Sequence, residues 1–221
     1  WIYFDNYPLA QSLGIIALIY ILFSGGLDTR WTKIRPIIKP GIALSTIGVL
    51  VSALIVGGFA SWLVGFSLLE GVLLGAIVSS TDAAAVFSVL RSKALGFKYR
   101  LKELMEFESG TNDPMAIFLA IGVIRLLSMP DFGWGALTLL FFQQMILGAA
   151  GGYLFGKAMT WSINRINLEY DGLYPVLTLA FVPLAYATID LLGGSGFLGV
   201  YIAGLVLGNA NFIHQRSLVN F

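Results

Sequence analysis

Seven long apolar segments alternate along the chain with short links that hold most of the polar and charged residues. A membrane-spanning helix needs about 20 mainly apolar residues, so each segment is long enough to cross a bilayer. The segments lie at approximately 8–27, 41–65, 71–90, 104–127, 135–160, 173–190 and 195–211. Pro36, Pro40 and Gly41 mark the end of the first link. The pattern predicts an all-α, polytopic membrane protein with about seven transmembrane helices.

Composition agrees with this assignment. Hydrophobic residues make up 57% of the chain and charged residues 11%, whereas about 25% of the residues in a soluble domain are charged. A soluble enzyme is therefore excluded. The chain contains no cysteine, so it has neither a disulfide framework nor a thiolate metal site.

The positions of the basic residues indicate how the predicted helices are oriented. Of the 13 Lys and Arg residues, all except Arg125 fall in every second link. Links rich in Lys and Arg stay on the cytoplasmic side of a membrane. The regions assigned to the cytoplasm are 28–40, 91–103, 157–172 and 212–221. The first residue, Trp1, then lies outside, and an odd number of spans with an outside start predicts an internal segment of a longer chain.

Two acidic residues lie near the middle of consecutive apolar segments, Asp82 in the third and Asp113 in the fourth. A carboxylate at the centre of a bilayer costs roughly 2.5–3.5 kcal/mol even on the most lenient insertion scale. Such a group usually faces a partner or a water-filled cavity and marks an ion or proton path. We therefore expect both acids to be functional. Because the helices run in opposite directions, the two acids reach a similar depth and are able to face each other.

The third segment is apolar except for a run of polar residues from Ser79 to Asp82, followed further on by Ser88. Four successive polar side chains in mid-membrane suit a helix that is partly unwound, since unwinding frees carbonyl groups that bind cations. We predict a discontinuous helix near 80–83. The alternative is a continuous helix in which Asp82 is hydrogen-bonded to a neighbour.

The fourth segment sorts its polar groups by helical spacing. Ser109 and Asp113 are four residues apart and share one face, and Glu108 and Asn112 share the adjacent face. Asp113 is thus expected to point into a cavity with Ser109 below it, while Asn112 reaches toward the third segment. Pro114 removes an amide hydrogen and weakens the helix at this point.

A monovalent cation needs several oxygen ligands, and the two polar segments supply them. The predicted ion-binding and proton-exchange residues are Asp113, Asp82, Asn112, Thr81 and Ser109, with the cation itself held by Asp113, Asp82, Thr81 and Ser109. A carboxylate that binds a cation when ionised must release it when protonated. One such group can therefore serve both substrates of an exchanger. A cation channel, or a membrane receptor or scaffold whose buried acids are structural, remains an alternative.

Glu108 has two interpretations, because no basic residue of this chain is well placed to meet it. It either lines a funnel on the cytoplasmic side or pairs with an arginine outside the given sequence, and we favour pairing. The run Gly194–Gly199 satisfies the dinucleotide pattern G-x-G-x-x-G but opens a membrane helix instead of following a strand, so we assign it no nucleotide. His214 is expected to be interfacial. We expect no organic cofactor and no nucleic-acid partner.

Three stretches of this sequence resemble the bacterial monovalent cation/proton antiporters, most closely the potassium/proton antiporters of the cell volume regulation type. The stretches are Ser80–Ala85, Glu108–Pro114 and Gly194–Asn209. The resemblance implies that residues 1–221 form part of a transmembrane antiporter domain, corresponding to family helices three to nine of an inverted-repeat fold, with both ends of the domain missing. It also implies a secondary transporter, not an enzyme.

Further expectations follow from the same resemblance. Thr81 and Asp82 would lie where the unwound helix crosses another, Asn112 and Asp113 would form the ion-binding pair, and Glu108 would match an acid that pairs with a later arginine. Electrogenic relatives carry two adjacent acids where this chain has Asn112 and Asp113, so exchange is expected to be electroneutral. The implied partners are K⁺ or Na⁺, protons, the lipid bilayer and a second copy in a homodimer. The implied location is the bacterial inner membrane, with a role in pH homeostasis or cell volume regulation.

Overall fold

A computed structural model describes residues 5–82, 86, 100–166 and 173–210, and every regular element in them is helical. This confirms the predicted all-α class. The helices are α1 (Tyr7–Asp28), α2 (Trp31–Val64), α3 (Leu68–Val78), α4 (Leu101–Ser128), α5 (Trp134–Arg165), α6 (Leu173–Leu191) and α7 (Gly196–Gly208). Parts of the predicted cytoplasmic regions, 91–99, 167–172 and 211–221 with His214, lie outside the described residues, as do 83–85.

Helix length separates these elements into two groups. The helices α1, α2, α4, α5 and α6 are each long and apolar enough to cross a membrane. The other two are shorter, and α3 has only 11 residues. At 1.5 Å per residue α3 extends about 16 Å, roughly half the hydrocarbon thickness of a bilayer. A helix of this length that begins at one interface ends near the middle of the membrane.

The second helix begins at Trp31 instead of near residue 41, so the prediction that Pro36 and Pro40 end the link is wrong. Pro36 lies at the start of a 3₁₀ turn, Arg35–Ile37, and Pro40 lies in the first turn of the α-helical stretch that follows it. Proline in a first turn removes an amide hydrogen that has no helical partner there. The chain therefore stays helical through both prolines, with a π-helical turn at Leu44–Gly48.

A short turn joins α2 to α3. Gly65 ends α2 in the left-handed conformation, φ +80°, which glycine adopts without the steric cost of a side chain, and its N–H donates to the Ser61 carbonyl at 3.1 Å. Ser67 then caps α3. Its hydroxyl accepts from the Glu70 amide at 3.3 Å, while the Glu70 carboxylate accepts from the Ser67 amide at 2.8 Å.

The antiparallel pair α2 and α3 packs backbone against backbone. A methyl group added at Gly57 would lie 2.7 Å from the Cα atom of Val72, and one added at Gly75 would overlap the carbonyl oxygen of Ala53. Small residues spaced four apart allow such close approach between membrane helices. Gly71 and Gly75 of α3 have this spacing.

Contacts divide the chain into two compact units, one of which is Thr29–Gln144. Its core is a cluster of buried apolar side chains from α2, α3 and α4. The members are Val49, Ala53, Ala76, Met115, Ala116, Phe118 and Leu119. The ring of Phe118 also packs edge-on against Phe141 of α5, with centroids 5.2 Å apart. All the predicted ion-binding residues lie in this unit.

The other unit comprises Trp1–Asp28 and Met145–Phe221. In it α1 packs closely against α7, where Gly204 and Gly208 lie against the backbone of Phe23 and Leu27. The hydroxyl of Ser195 caps α7 by accepting from the amide of Leu198 at 3.3 Å. The glycine-rich run before α7 thus opens a closely packed helix, as its position in the sequence predicts.

Candidate ion-binding site

The third apolar segment is interrupted in its middle. After α3 ends at Val78, residues Ser79–Asp82 are not helical. The Ser79 hydroxyl closes the end of α3 by donating to the Ala76 carbonyl at 2.8 Å. The break confirms the predicted discontinuity near 80–83 for the residues that are described, and it rules out a continuous helix through Asp82.

The fourth apolar segment brings its polar side chains alongside this break. It forms the single helix α4, in which Pro114 is buried and follows Asp113 directly. Proline has no amide hydrogen, so it cannot donate the usual helical bond to the carbonyl of Gly110. The helix therefore lacks one backbone hydrogen bond beside Asp113, and it is weakened there, as the sequence predicts.

Asn112 and Glu108 hold the unwound segment against α4. The Asn112 amide nitrogen donates to the hydroxyl of Thr81 at 2.7 Å, to its carbonyl at 3.2 Å and to the Glu108 carboxylate at 3.1 Å. The Thr81 hydroxyl in turn donates to Glu108 at 3.1 Å. Ser109 adds a further bond, from its hydroxyl to the Thr81 carbonyl at 3.1 Å. The Thr81 carbonyl is therefore engaged by two donors from α4.

The other atom of the Asn112 amide has an unusual environment. The Asn112 side chain is fully buried, yet its oxygen accepts no hydrogen bond from the described residues. The nitrogen is fixed by three acceptors, so exchanging the two amide atoms would place oxygen against oxygen. A buried polar atom without a partner costs about 1–3 kcal/mol. The site therefore presents an acceptor that is oriented and ready for a donor.

Asp113 is bound by a different residue of the break. The hydroxyl of Ser80 donates to one carboxylate oxygen of Asp113, across 33 positions of sequence. Asp82 is near enough to act electrostatically on Asp113. Ser80 is absent from the set of site residues predicted from the sequence. The available signal was its place in the polar run, where nothing distinguishes it from Ser79.

A cavity of about 330 Å³ opens beside the break. Polar groups line it at one end, and apolar side chains of the first turns of α4 form much of its wall. The lining residues are Leu44, Thr81, Asp82, Val86, Leu101, Leu104, Met105 and Glu108. The cavity therefore leads from Asp82 and Glu108 toward the N-terminal end of α4.

The opposite side of Asp113 along α4 is closed. Met115, Ala116, Phe118 and Leu119 follow it directly and belong to the buried apolar cluster. Within this unit the cavity thus reaches Asp82 and Glu108 from the N-terminal side of α4, and a packed apolar layer follows Asp113.

Measured against the expectations from sequence, the structure brings most of the site residues together. Thr81, Glu108, Ser109 and Asn112 form one hydrogen-bonded group. Asp82, Thr81 and Glu108 share the cavity, whereas Asp113 and Ser109, which were expected to line it, do not. Both lie half-buried behind the break.

Comparisons with known proteins show what this chain is similar to. The family model described as "Sodium/hydrogen exchanger, transmembrane" matches residues 7–219. The chain is 40% identical over 208 residues to the K(+)/H(+) antiporter NhaP of Alkalimonas amylolytica and 39% identical over 221 residues to the K(+)/H(+) antiporter NhaP2 of Shewanella baltica. These matches cover 94% and 99% of this chain, but 36% and 38% of the relatives.

A solved structure shows the same fold. The sodium proton antiporter MjNhaP1 from Methanocaldococcus jannaschii, determined at pH 8, superposes with a TM-score of 0.78 at 25% identity. The match covers 94% of this chain and 52% of that one. The chain thus spans little more than a third of the length of the sequence relatives named above and about half of the structural neighbour.

Proposed function

Because the chain belongs to the transmembrane sodium/hydrogen exchanger family, we propose that the protein exchanges a monovalent cation for H⁺ across the membrane. The observation that carries this proposal is Asp113, an acid at mid-helix beside the break after α3 and hydrogen-bonded to it. K⁺ is the first cation to test, since the relatives that are about 40% identical are named K(+)/H(+) antiporters. Na⁺ is the second, since the structural neighbour is a sodium proton antiporter.

The exchange mechanism is competition for one carboxylate. Ionised Asp113 attracts a cation, and protonated Asp113 does not, so the two substrates occupy the site in turn. Oxygen atoms of Asp82, Thr81 and Ser109 complete the cation's surroundings, because hard cations prefer oxygen ligands. Because only one group exchanges its proton, one H⁺ moves for each monovalent cation and the cycle is electroneutral.

Asn112 and Glu108 maintain the shape of the site in this mechanism. Asn112 fastens the unwound segment through Thr81 and keeps Glu108 beside it. For the Glu108 carboxylate we keep the pairing with an arginine from outside the given sequence that we favour above.

The cavity supports access from the cytoplasm. It leads toward the N-terminal end of α4, and the positive-inside rule assigns the link before α4, with Arg100 and Lys102, to the cytoplasmic side. The buried apolar cluster lies on the outer side of Asp113. We therefore propose that the described conformation is inward-facing. We place the protein in the bacterial inner membrane, in keeping with its bacterial relatives, and expect it to form the homodimer that the sequence resemblance implies.

The test is proton movement in proteoliposomes that contain the full-length protein. A pH-sensitive dye inside the vesicles reports exchange after pulses of K⁺, Na⁺ and Li⁺. Asp113→Asn keeps the shape of the side chain and removes the titrating charge, so we expect no exchange above that of empty vesicles. Glu106→Gln is the matched control, because Glu106 lies on the same helix but forms an exposed ion pair with Lys102, 3.6 Å apart. Substantial exchange by folded Asp113→Asn protein would overturn the proposal.

A further inference from the structure

The hydroxyl of Ser80 connects the unwound segment directly to the exchanging carboxylate. Ser80 is half-buried and donates to Asp113, whereas its neighbour Ser79 donates to the Ala76 carbonyl within its own segment. Ser79 follows α3 directly and still bonds back to the last turn of the helix, as serines in helices commonly do. Ser80 lies one residue further along the break and donates to Asp113 instead. Two adjacent serines therefore have different partners, one structural and one at the ion site.

We propose that Ser80 is a positioning residue that sets the balance between proton and cation at Asp113. The inference rests on the proposed function of Asp113. A hydroxyl has one donor hydrogen and two acceptor lone pairs, so Ser80 donates to the ionised carboxylate and accepts from the protonated one. Donation to a charged acceptor is the stronger of the two interactions. Ser80 therefore favours the form of Asp113 that binds the cation.

The charged groups around Asp113 do not replace the hydrogen bond that Ser80 donates to its carboxylate. Asp82 is itself an acid, and an ionised carboxylate accepts hydrogen bonds instead of donating them. Glu108 is engaged by Thr81 and Asn112. The charges on the helices packed against α4 lie near the helix ends. Those of α2 are Lys33, Arg35 and Lys39, of which Lys33 pairs with Glu103 at 3.9 Å, and that of α3 is Glu70, which takes part in its cap. Within the described residues, Ser80 is thus the group that hydrogen-bonds Asp113 through its side chain.

The position of Ser80 also couples ion affinity to the geometry of the break. Thr81, the next residue, is tied to α4 by Asn112, Ser109 and Glu108. These bonds fix the backbone on one side of Ser80, and the end of α3 fixes it on the other. A movement of the break relative to α4 would lengthen the hydrogen bond from Ser80 to Asp113. Asp113 would then bind a proton more favourably relative to the cation. Such a movement would favour release of the cation without a change at Asp113 itself.

The test is the pH profile of exchange in proteoliposomes with full-length protein. In Ser80→Ala we expect half-maximal exchange to move about one pH unit upward, because a hydrogen bond to a charged group is worth roughly a tenfold change in equilibrium or more. We also expect KM for K⁺ at fixed pH near neutrality to rise several-fold, while the maximal rate at alkaline pH is retained. Ser80→Thr, which keeps the hydroxyl, should restore the wild-type profile. The matched control is Ser79→Ala, whose profile should not move.

Several results would overturn the inference. A wild-type profile in folded Ser80→Ala protein would do so, and so would an equal shift in Ser79→Ala. If Ser80→Ala does not fold, Ser80→Cys replaces the hydroxyl by a weaker donor of similar size. A wild-type pH profile in Ser80→Cys would equally contradict the proposed role of Ser80. The proposed function is tested separately: exchange in Asp113→Asn rejects it, whereas inactive Asp113→Asn with an unmoved Ser80→Ala profile rejects only the role of Ser80.

Discussion

Two adjacent glycines in α2 provide a direct test of how the break is held in place. Gly57 lies against the backbone of α3, where an added methyl group would be 2.7 Å from both the Cα and the amide nitrogen of Val72. Gly58, one residue later on the same helix, has no heavy atom within 4 Å of the same added group. Alanine at either position gains the same helix propensity. The two variants therefore differ in the contact with α3 alone.

The size of the effect follows from these distances. Non-bonded carbon atoms rest about 3.5–4.0 Å apart, so Gly57→Ala must push α3 away by about 1 Å. The obstacle is backbone, which cannot turn aside as a flexible side chain does. Overpacking of this kind typically costs about 1–3 kcal/mol. Replacing glycine by alanine inside a helix contributes about 1 kcal/mol in the other direction for both variants. The difference between them should therefore be about 1–3 kcal/mol in favour of Gly58→Ala.

Thermal stability of the purified full-length protein, followed by the loss of its monodisperse peak after heating, measures this difference. We expect Gly57→Ala to lose the peak at a lower temperature than wild type, and Gly58→Ala at the same or a higher temperature. The exchange rate should also fall for Gly57→Ala, because Ser80 and Thr81 follow the end of α3 and move with it. Misplacing a binding group by 1 Å can lower a rate about a hundredfold. Equal melting temperatures for the two variants would refute the reasoning.

Two further predictions concern charge at the site. Asn112→Asp replaces a donor by an acceptor facing Thr81 and Glu108, so we expect a loss of stability of at least about 1–3 kcal/mol, greatest at alkaline pH; unchanged melting across pH would contradict it. If Asp113 alone exchanges its proton, a membrane potential of about 100 mV, worth about 2.3 kcal/mol per net charge moved, should leave the endpoint of exchange unchanged. A shift approaching fiftyfold, the effect expected for one net charge, would show that a second group, most plausibly Asp82, also carries a proton.

The architecture of the site could be predicted from the sequence because the relevant signals are local. Four successive polar residues in an apolar segment are costly in lipid wherever they lie, so Ser79–Asp82 indicate a break without knowledge of the surrounding helices. Likewise, a spacing of four places Glu108 beside Asn112 on any α-helix, and the structure joins them by a hydrogen bond.

The features that sequence reasoning missed depend on contacts between segments. Ser79 and Ser80 are equivalent in the sequence, and only the point at which α3 ends decides which of them reaches Asp113. The course of α2 through Pro36 and Pro40 depends on each proline falling in the first turn of its own short helical stretch. A small shift in either turn would have made the same prolines helix breakers.

The hydrogen-bonding geometry also bears on why only one member of the pair Asn112–Asp113 is an acid. Three acceptors converge on the side chain of residue 112: the hydroxyl and carbonyl oxygens of Thr81 and the carboxylate of Glu108. An amide nitrogen satisfies them, whereas an ionised carboxylate would add a fourth acceptor to the group at full burial. The same asparagine that fastens the break therefore keeps position 112 uncharged. The electroneutral exchange that we propose would therefore depend on the way in which α4 holds the unwound segment.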